Sequence, residues 1–189
     1  MAFVVVYDAA VLYPAPLRDL LLRVARTGLV RAHWTEQILD ECFRNILANR
    51  PDLSVASLAR TRELMNQAIP DVIVTGYQSL IDGLTLPDPD DRHVLAAAIR
   101  AGAQVIVTWN LEDFPADALA PYGIVSLDPD EFVVNLLDLA PAAIGSVVTE
   151  QAAALRSPPM SVGALIETLL QQGLARTVAR LRELLGVEP

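Results

Sequence analysis

Continuous apolar segments constrain the fold of this 189-residue chain most strongly. Residues 3–7 read FVVVY and end at Asp8, and residues 104–108 read QVIVT. Because neither segment has a polar face, each is typical of a strand buried on both sides, as in a parallel sheet that helices cover. Helical patterns of about 10 to 15 residues recur between such segments, which favours an α/β fold.

The predicted elements alternate along the N-terminal part of the chain. Further strands are predicted at residues 29–32, 72–75 and 123–126. Helices are predicted at residues 17–27, 35–49, 53–68, from Asp90 or Asp91 to Gly102, and at 129–137. This order predicts a three-layer α/β/α sandwich with a central parallel sheet, since right-handed crossovers place helices on both faces.

The pattern changes after Ala140, where strand segments end. Two or three helices are predicted there, near residues 142–155, 161–172 and 174–185. We therefore predict a sheet domain over residues 1–138 and a helical C-terminal extension over residues 139–189. The extension has apolar stripes, which we expect to pack on the sheet domain; partly exposed, they would suit a homodimer or a partner's helix in a groove.

The charged residues exclude several enzyme classes. The chain has 14 arginines, no lysine and 23 acidic residues, for a net charge of −9. A P-loop NTPase, a Schiff-base enzyme and a phosphoaspartate enzyme each depend on a lysine, so these classes are excluded. The two histidines, His33 and His93, are far apart in the sequence. Chemistry in this chain must therefore depend on carboxylates.

The compartment is indicated by the cysteine count and by the N-terminus. The single cysteine, Cys42, cannot form an internal disulfide, which fits a reducing compartment. The first residues, MAFVVVYDAA, lack a basic region, and no apolar run reaches the roughly 18 residues of a membrane span. The sequence thus predicts a cytoplasmic protein that is not associated with a membrane.

Two carboxylates follow predicted strands. Asp8 comes directly after the first strand, and Asp113 lies in TWNLEDFP, just beyond the strand at 104–108. The carboxyl ends of parallel strands meet at one edge, where ligands bind in open α/β sheets. The alternative for each aspartate is a role as a turn or helix cap.

Two further acids lie on predicted helices. The segment DPDDRH, residues 88–93, places three aspartates at a helix start, where their mutual repulsion raises a pKa or requires a cation. Asp91 is preferred as a ligand because the apolar pattern after it fixes its helix against the sheet, and Asp90 is the alternative. Glu41 lies at the rim of the buried stripe of the helix at 35–49, where a solvated surface glutamate is the other interpretation.

Such oxygen-only donors, without histidine or cysteine, favour Mg2+ or Mn2+ over zinc. These ions neutralise phosphate oxygens and activate a bound water. This chain has no lysine that could neutralise the phosphate instead. The reaction class that we predict is hydrolysis of phosphodiester bonds.

Over residues 3–135 the ordered set of Asp8, ILDECFRN, LPDPDDRHVLAAAI and VTWNLEDFP resembles the PIN domain, the metal-dependent ribonuclease fold of VapC-type toxins. The resemblance implies that Asp8, Glu41, Asp91 and Asp113 hold Mg2+ or Mn2+ and hydrolyse RNA, with Thr108 and Asn110 shaping the site. It also implies a toxin of a type II toxin-antitoxin system and a small DNA-binding antitoxin as partner. The helical extension resembles that of one subgroup of these toxins.

Contacts with RNA are harder to predict for an acidic protein, because it gains little from nonspecific counterion release. Arg18, Arg44 and Arg92 lie nearest in sequence to the predicted ligands and are candidates for phosphate contacts. Their alternative role is in solvated helix faces or ion pairs. Other functional hypotheses are a housekeeping nuclease in RNA processing and a non-catalytic module that binds RNA or protein.

Overall fold

The computed structural model describes residues 2–188. Its parallel sheet has four strands: β1 (Phe3–Tyr7), β2 (Val30–His33), β3 (Val105–Val107) and β4 (Val125–Leu127). The helices of the sheet domain are α1 (Ala9–Leu12), α2 (Ala15–Arg26), α3 (Glu36–Asn49), α4 (Val55–Ala68), α5 (Arg92–Ala101), α6 (Ala116–Leu119) and α7 (Pro129–Leu139). Those of the extension are α8 (Pro141–Ala154), α9 (Val162–Gln171) and α10 (Ala175–Leu185). Short 3-10 turns cover Gln78–Gly83, Pro89–Asp91, Leu111–Asp113 and Ala120–Tyr122.

The strand order is β2-β1-β3-β4, with every pair parallel. After β1 the chain first adds β2 on one side and later adds β3 on the other. The order therefore reverses between β1 and β3, and this reversal opens a crevice at the carboxyl ends of these two strands.

Central strand β1 is covered on both faces. Val5, Val6 and Tyr7 are fully buried, although successive side chains point to opposite sides of a sheet. The Tyr7 hydroxyl donates to the Leu21 carbonyl of α2 at 3.3 Å, and its ring meets Phe132 of α7 edge-on. The predicted α/β sandwich with a parallel sheet and a helical C-terminal region is confirmed.

The predicted strand at residues 72–75 is wrong. The chain there makes a single parallel bridge, between Ile73 and Trp34, rather than a strand. Backbone φ angles are positive at Asp71 (54°) and Gly76 (72°), so the chain turns at both ends of the extended segment. The short helix α1, which begins directly after Asp8, was not predicted from the sequence.

The extension packs on the sheet domain through α7 and α2, which contact α10 and α8. The side chains of its apolar stripes are buried: Leu165, Ile166, Leu169, Leu174, Val178 and Leu181. Leu170 and Leu184 remain exposed. The stripes thus belong to the core of this chain, as the expected packing on the sheet domain requires. Within residues 2–188, no helix combines the length and apolar character needed to cross a membrane.

Candidate active site

Asp8 follows β1 at the crevice and is almost fully buried, with 4% of its surface exposed. Its Oδ1 accepts from the Ala9 amide at 2.7 Å, and its Oδ2 accepts from the Thr108 hydroxyl at 2.8 Å. Burial raises the pKa of Asp8, while these two hydrogen bonds oppose the rise. Asp8 therefore caps α1 with one oxygen and faces β3 with the other.

Thr108 follows β3 and is fully buried. Its amide donates to the Leu127 carbonyl at 3.0 Å, which continues the pairing with β4. Its hydroxyl oxygen also accepts from the Asn110 amide at 3.0 Å. One hydroxyl thus joins Asp8 to the turn that carries Asn110, which takes part through its backbone while the residue itself is exposed.

Asp91 ends the 3-10 turn before α5 and is half-buried. Burial raises its pKa to about 7, and the negative charges of Asp8, Asp113, Asp88 and Glu41 add to the increase. The negative charges of all the acids predicted at this edge, except Asp90, therefore raise the pKa of Asp91.

Asp90 is exposed, and its amide is tied to the Asp88 carboxylate at 2.8 Å. Asp91, in contrast, is half-buried, and the other carboxylates raise its pKa. This electrostatic coupling favours Asp91 over Asp90 as the acid of the site.

Asp113 lies in the 3-10 turn Leu111–Asp113 beyond β3, and its amide donates to the Asn110 carbonyl at 3.1 Å. It is half-buried, and its charge is the second carboxylate influence on Asp91. The loop that contains this turn is anchored at both ends, because Thr108 pairs with β4 and Phe114 is fully buried.

Glu41 extends from α3 towards α5. Its Oε2 lies 3.8 Å from Nε2 of His93, a distance that suits an ion pair but exceeds a hydrogen bond. His93 is buried, and its Nδ1 has no hydrogen-bond partner within residues 2–188. Sequence analysis did not identify His93 as a neighbour of Glu41; its place in DDRH, two residues after Asp91, was the available signal.

The donor set fits a hard divalent cation in its chemistry. Asp8, Glu41, Asp91 and Asp113 form no ion pair with arginine in the described part of the chain, and only Glu41 lies at ion-pair distance from a histidine there. Carboxylate oxygens are the ligands that Mg2+ and Mn2+ prefer. As they stand, however, no three His, Cys, Asp or Glu side chains in residues 2–188 are grouped closely enough to hold a metal. The acids are electrostatically coupled without forming a closed ligand cage.

The three candidate RNA-binding arginines differ in their surroundings. Nη1 of Arg18 donates to the carbonyls of Leu12 and Tyr13 at 2.8 and 3.2 Å, and burial lowers its pKa. Nε of Arg92 donates to the Pro89 carbonyl at 2.9 Å. Arg44 is exposed and has no acidic partner in residues 2–188.

A groove of about 700 Å³ lies beside the crevice rather than in it. It runs between α2, α4, α8 and α9, and none of the four acids of the site lines it. Its walls are largely apolar, with Arg18, Arg23 and Arg26 along α2. Arg23 is paired with Asp19 at 2.9 Å, whereas Arg26 is exposed.

Comparisons with known proteins match both parts of the chain. The sequence model of the PIN domain matches residues 4–112, and that of the VapC50 C-terminal domain matches residues 129–183. A curated protein of Mycobacterium tuberculosis (strain ATCC 25618 / H37Rv), named "Putative ribonuclease VapC50", is 44% identical over 97 residues. The alignment spans 51% of this chain and 57% of that protein. No solved structure matches the chain.

Proposed function

This chain belongs to the PIN domain family, and we propose that it is a Mg2+- or Mn2+-dependent endoribonuclease, the toxin of a type II toxin-antitoxin pair. The observation that carries the proposal is the position of Asp8 and Asp113 after the adjacent parallel strands β1 and β3, at the edge of the sheet where both charges also act on Asp91. The match of residues 129–183 to the VapC50 C-terminal domain, and the ribonuclease named in the relative's title, support the VapC-type assignment.

In this proposal Asp8, Glu41, Asp91 and Asp113 hold the cation. When bound, Mg2+ or Mn2+ neutralises phosphate oxygens and lowers the pKa of water that attacks phosphorus. Thr108 fixes Oδ2 of Asp8 by its 2.8 Å hydrogen bond, so the rotamer of this buried carboxylate is set before the ion arrives. The Ala9 amide holds the other oxygen at 2.7 Å.

Asp91 links cation binding to protonation. With a pKa of about 7, its carboxyl group is partly protonated near neutral pH in the metal-free protein. Ligands must be deprotonated to bind a metal, so Asp91 releases a proton on binding. Affinity for the cation should therefore rise with pH up to and slightly beyond pH 7.

RNA is held by a few cationic side chains near the crevice. Arg92 adjoins Asp91, and Arg44 is an exposed residue of α3, the helix that also carries Glu41. Guanidinium groups bind phosphate oxygens through paired hydrogen bonds. Arg18 is a poorer candidate because its Nη1 already bonds two backbone carbonyls.

The partner of the toxin is a small antitoxin, which binds along α2. The groove between α2, α4, α8 and α9 supports this part of the proposal, since its apolar walls and the arginines of α2 suit an amphipathic helix with acidic residues. Binding there would bring the antitoxin next to Arg18, one of the residues that holds the turn after α1.

The test is a comparison of wild type with two neighbouring variants, Asp91→Asn and Asp90→Asn. Each is expressed without antitoxin, and the 5′ ends of cellular RNA are sequenced after induction. We expect new 5′ ends and growth arrest with wild type and Asp90→Asn, and neither with Asp91→Asn. The same order is expected when the purified proteins are given RNA with Mn2+.

Other outcomes would reject parts of the proposal. Cleavage confined to rRNA precursors, without growth arrest, would indicate a housekeeping nuclease. A wild-type protein that binds RNA but cleaves none with Mg2+ or Mn2+ would indicate a non-catalytic module.

A further inference from the structure

The helical extension contacts the loop after β3, which carries Asp113. Trp109 follows Thr108 in this loop, and its six-membered ring lies against Gly173 in the turn between α9 and α10. A Cβ atom at Gly173 would lie 3.1 Å from Cη2 of Trp109 and 3.6 Å from Cζ2. The backbone φ of Gly173 is 96°, a conformation that other residues rarely adopt. Two features of this turn thus require glycine: its backbone and its contact with the indole.

Polar contacts with two helices of the sheet domain hold the extension in place. Asp130 of α7 accepts from the amides of Arg176 and Thr177 at 2.9 and 2.8 Å, which fixes the start of α10 just after Gly173. Gln151 of α8 donates from Nε2 to the Pro16 carbonyl of α2 at 2.9 Å. Because Asp130 ties the start of α10 to α7, the turn at Gly173 cannot move far from Trp109 without breaking these hydrogen bonds, of which the one from Thr177 is buried.

Within the loop itself, few interactions act between its two anchored ends. Leu111 and Glu112 are exposed, and the internal backbone bonds are those of one 3-10 turn, from Asp113 to Asn110 and from Phe114 to Leu111. Trp109 is partly buried against the core, so it is the large side chain through which the extension contacts this segment.

We propose that the C-terminal extension is a positioning device for the acidic loop, and that it acts through the contact between Gly173 and Trp109. The contact keeps Trp109 in place and, through it, holds the Asp113 turn near Asp8 and Asp91. Gly173 and Trp109 are positioning residues in this proposal. The part that concerns cation affinity rests on the proposed function, whereas the ordering of the loop does not.

The experiment compares Gly173→Ala with Gly28→Ala in the full chain. Gly28 also has a positive φ, 81°, but a Cβ there meets nothing within 4 Å, so this variant controls for backbone strain. We expect Gly173→Ala to speed amide hydrogen exchange at residues 108–114 by about tenfold or more and to weaken Mn2+ binding by about 10- to 100-fold, measured by calorimetry. Gly28→Ala should leave both within about twofold of wild type.

A rescue variant separates positioning from general destabilisation. Phe lacks the outer ring atoms that a methyl group at Gly173 would strike, so Gly173→Ala with Trp109→Phe should recover most of the slow exchange and Mn2+ affinity of wild type. Should Gly173→Ala fail to fold, Trp109→Leu alone removes the contact and should also speed exchange at residues 108–114.

Three results would be decisive. Unchanged exchange at residues 108–114 in a folded Gly173→Ala or Trp109→Leu protein would overturn the positioning role. A double variant no better than Gly173→Ala would overturn the contact with Trp109 as its route. If wild type binds no Mn2+, the proposed metal chemistry fails, and the exchange data still decide whether the extension orders the loop.

Discussion

The hydroxyl of Thr108 donates a 2.8 Å hydrogen bond to Oδ2 of Asp8, although the two residues are 100 positions apart in the sequence. The bond joins the carboxyl ends of the paired strands β1 and β3, where the strand order reverses. Both residues are buried, so water cannot replace the bond if it is removed. Asp8 therefore depends on β3 for the orientation of its carboxylate.

Thr108→Val should weaken Mn2+ binding by about 10- to 100-fold, because it removes the hydroxyl and keeps the shape of the side chain. It should also raise the pKa of Asp8 further, since the bond from Thr108 opposes the effect of burial. Thr108→Ser keeps the hydroxyl and should bind within about threefold of wild type. Titration calorimetry with Mn2+ measures both. Equal affinities for Val and Ser variants would contradict a role for this bond.

Stability of the metal-free protein should fall as pH rises from about 4 to 7. Asp91 has a pKa of about 7 in the folded state against 3.8 for an unperturbed aspartate, so the folded state binds more protons in this range. Burial raises the pKa of Asp8 as well, which acts in the same direction. Thermal denaturation in chelator at about pH 5 and pH 8 measures the effect.

The size of this pH effect attributable to Asp91 should be on the order of 1 to 2 kcal/mol, since solvent screens a half-buried carboxylate. Asp91→Asn should lose less stability between the two pH values. Mn2+ should restore the stability of wild type at pH 8 by binding the folded state. The same pH dependence in wild type and Asp91→Asn would show that Asp91 does not titrate in this range.

Asp130→Ala should lower the free energy of unfolding by about 2 kcal/mol, because it leaves the buried amide of Thr177 and the partly buried amide of Arg176 without a charged acceptor. Asp138, on the same helix α7, provides a matched control. It pairs with Arg180 of α10 at 2.6 Å, but both side chains are about half exposed. Asp138→Ala should therefore cost less than about 0.5 kcal/mol. Urea denaturation measures both; similar losses would mean that Asp130 is not a main anchor of the extension.

Arg44→Ala and Arg92→Ala should each weaken RNA binding and reduce its dependence on salt by about one phosphate contact. Arg60→Ala is the control, because Arg60 lies on α4, is exposed and pairs with Glu63 at 2.7 Å. Fluorescence anisotropy with single-stranded RNA at several salt concentrations measures affinity, in an Asp8→Asn background that blocks cleavage. Should Arg60→Ala reduce the salt slope as much, the RNA would contact α4 as well.

Patterns that depend on near neighbours in the sequence predicted the elements well. The apolar segment Phe3–Tyr7 is β1 as expected, and Thr35 caps α3 with its hydroxyl accepting from the Ile38 amide at 3.0 Å. The segment at residues 72–75 has the composition of a strand, yet it forms one bridge only. The strand prediction was wrong because the backbone turns at Asp71 and Gly76, and the pattern of apolar residues does not encode these backbone angles.

By itself, then, the sequence determined which side chains are candidates for the chemistry: with no lysine and two histidines, the acids after buried strands and at helix starts were the available groups. Tertiary structure decided what surrounds them. It favours Asp91 over Asp90, sets the Glu41 side chain beside buried His93, and brings Gly173 of the extension against Trp109. The physical reason is that residue type and spacing fix local propensity, whereas burial, distance between charges and contact across the fold depend on how distant segments pack.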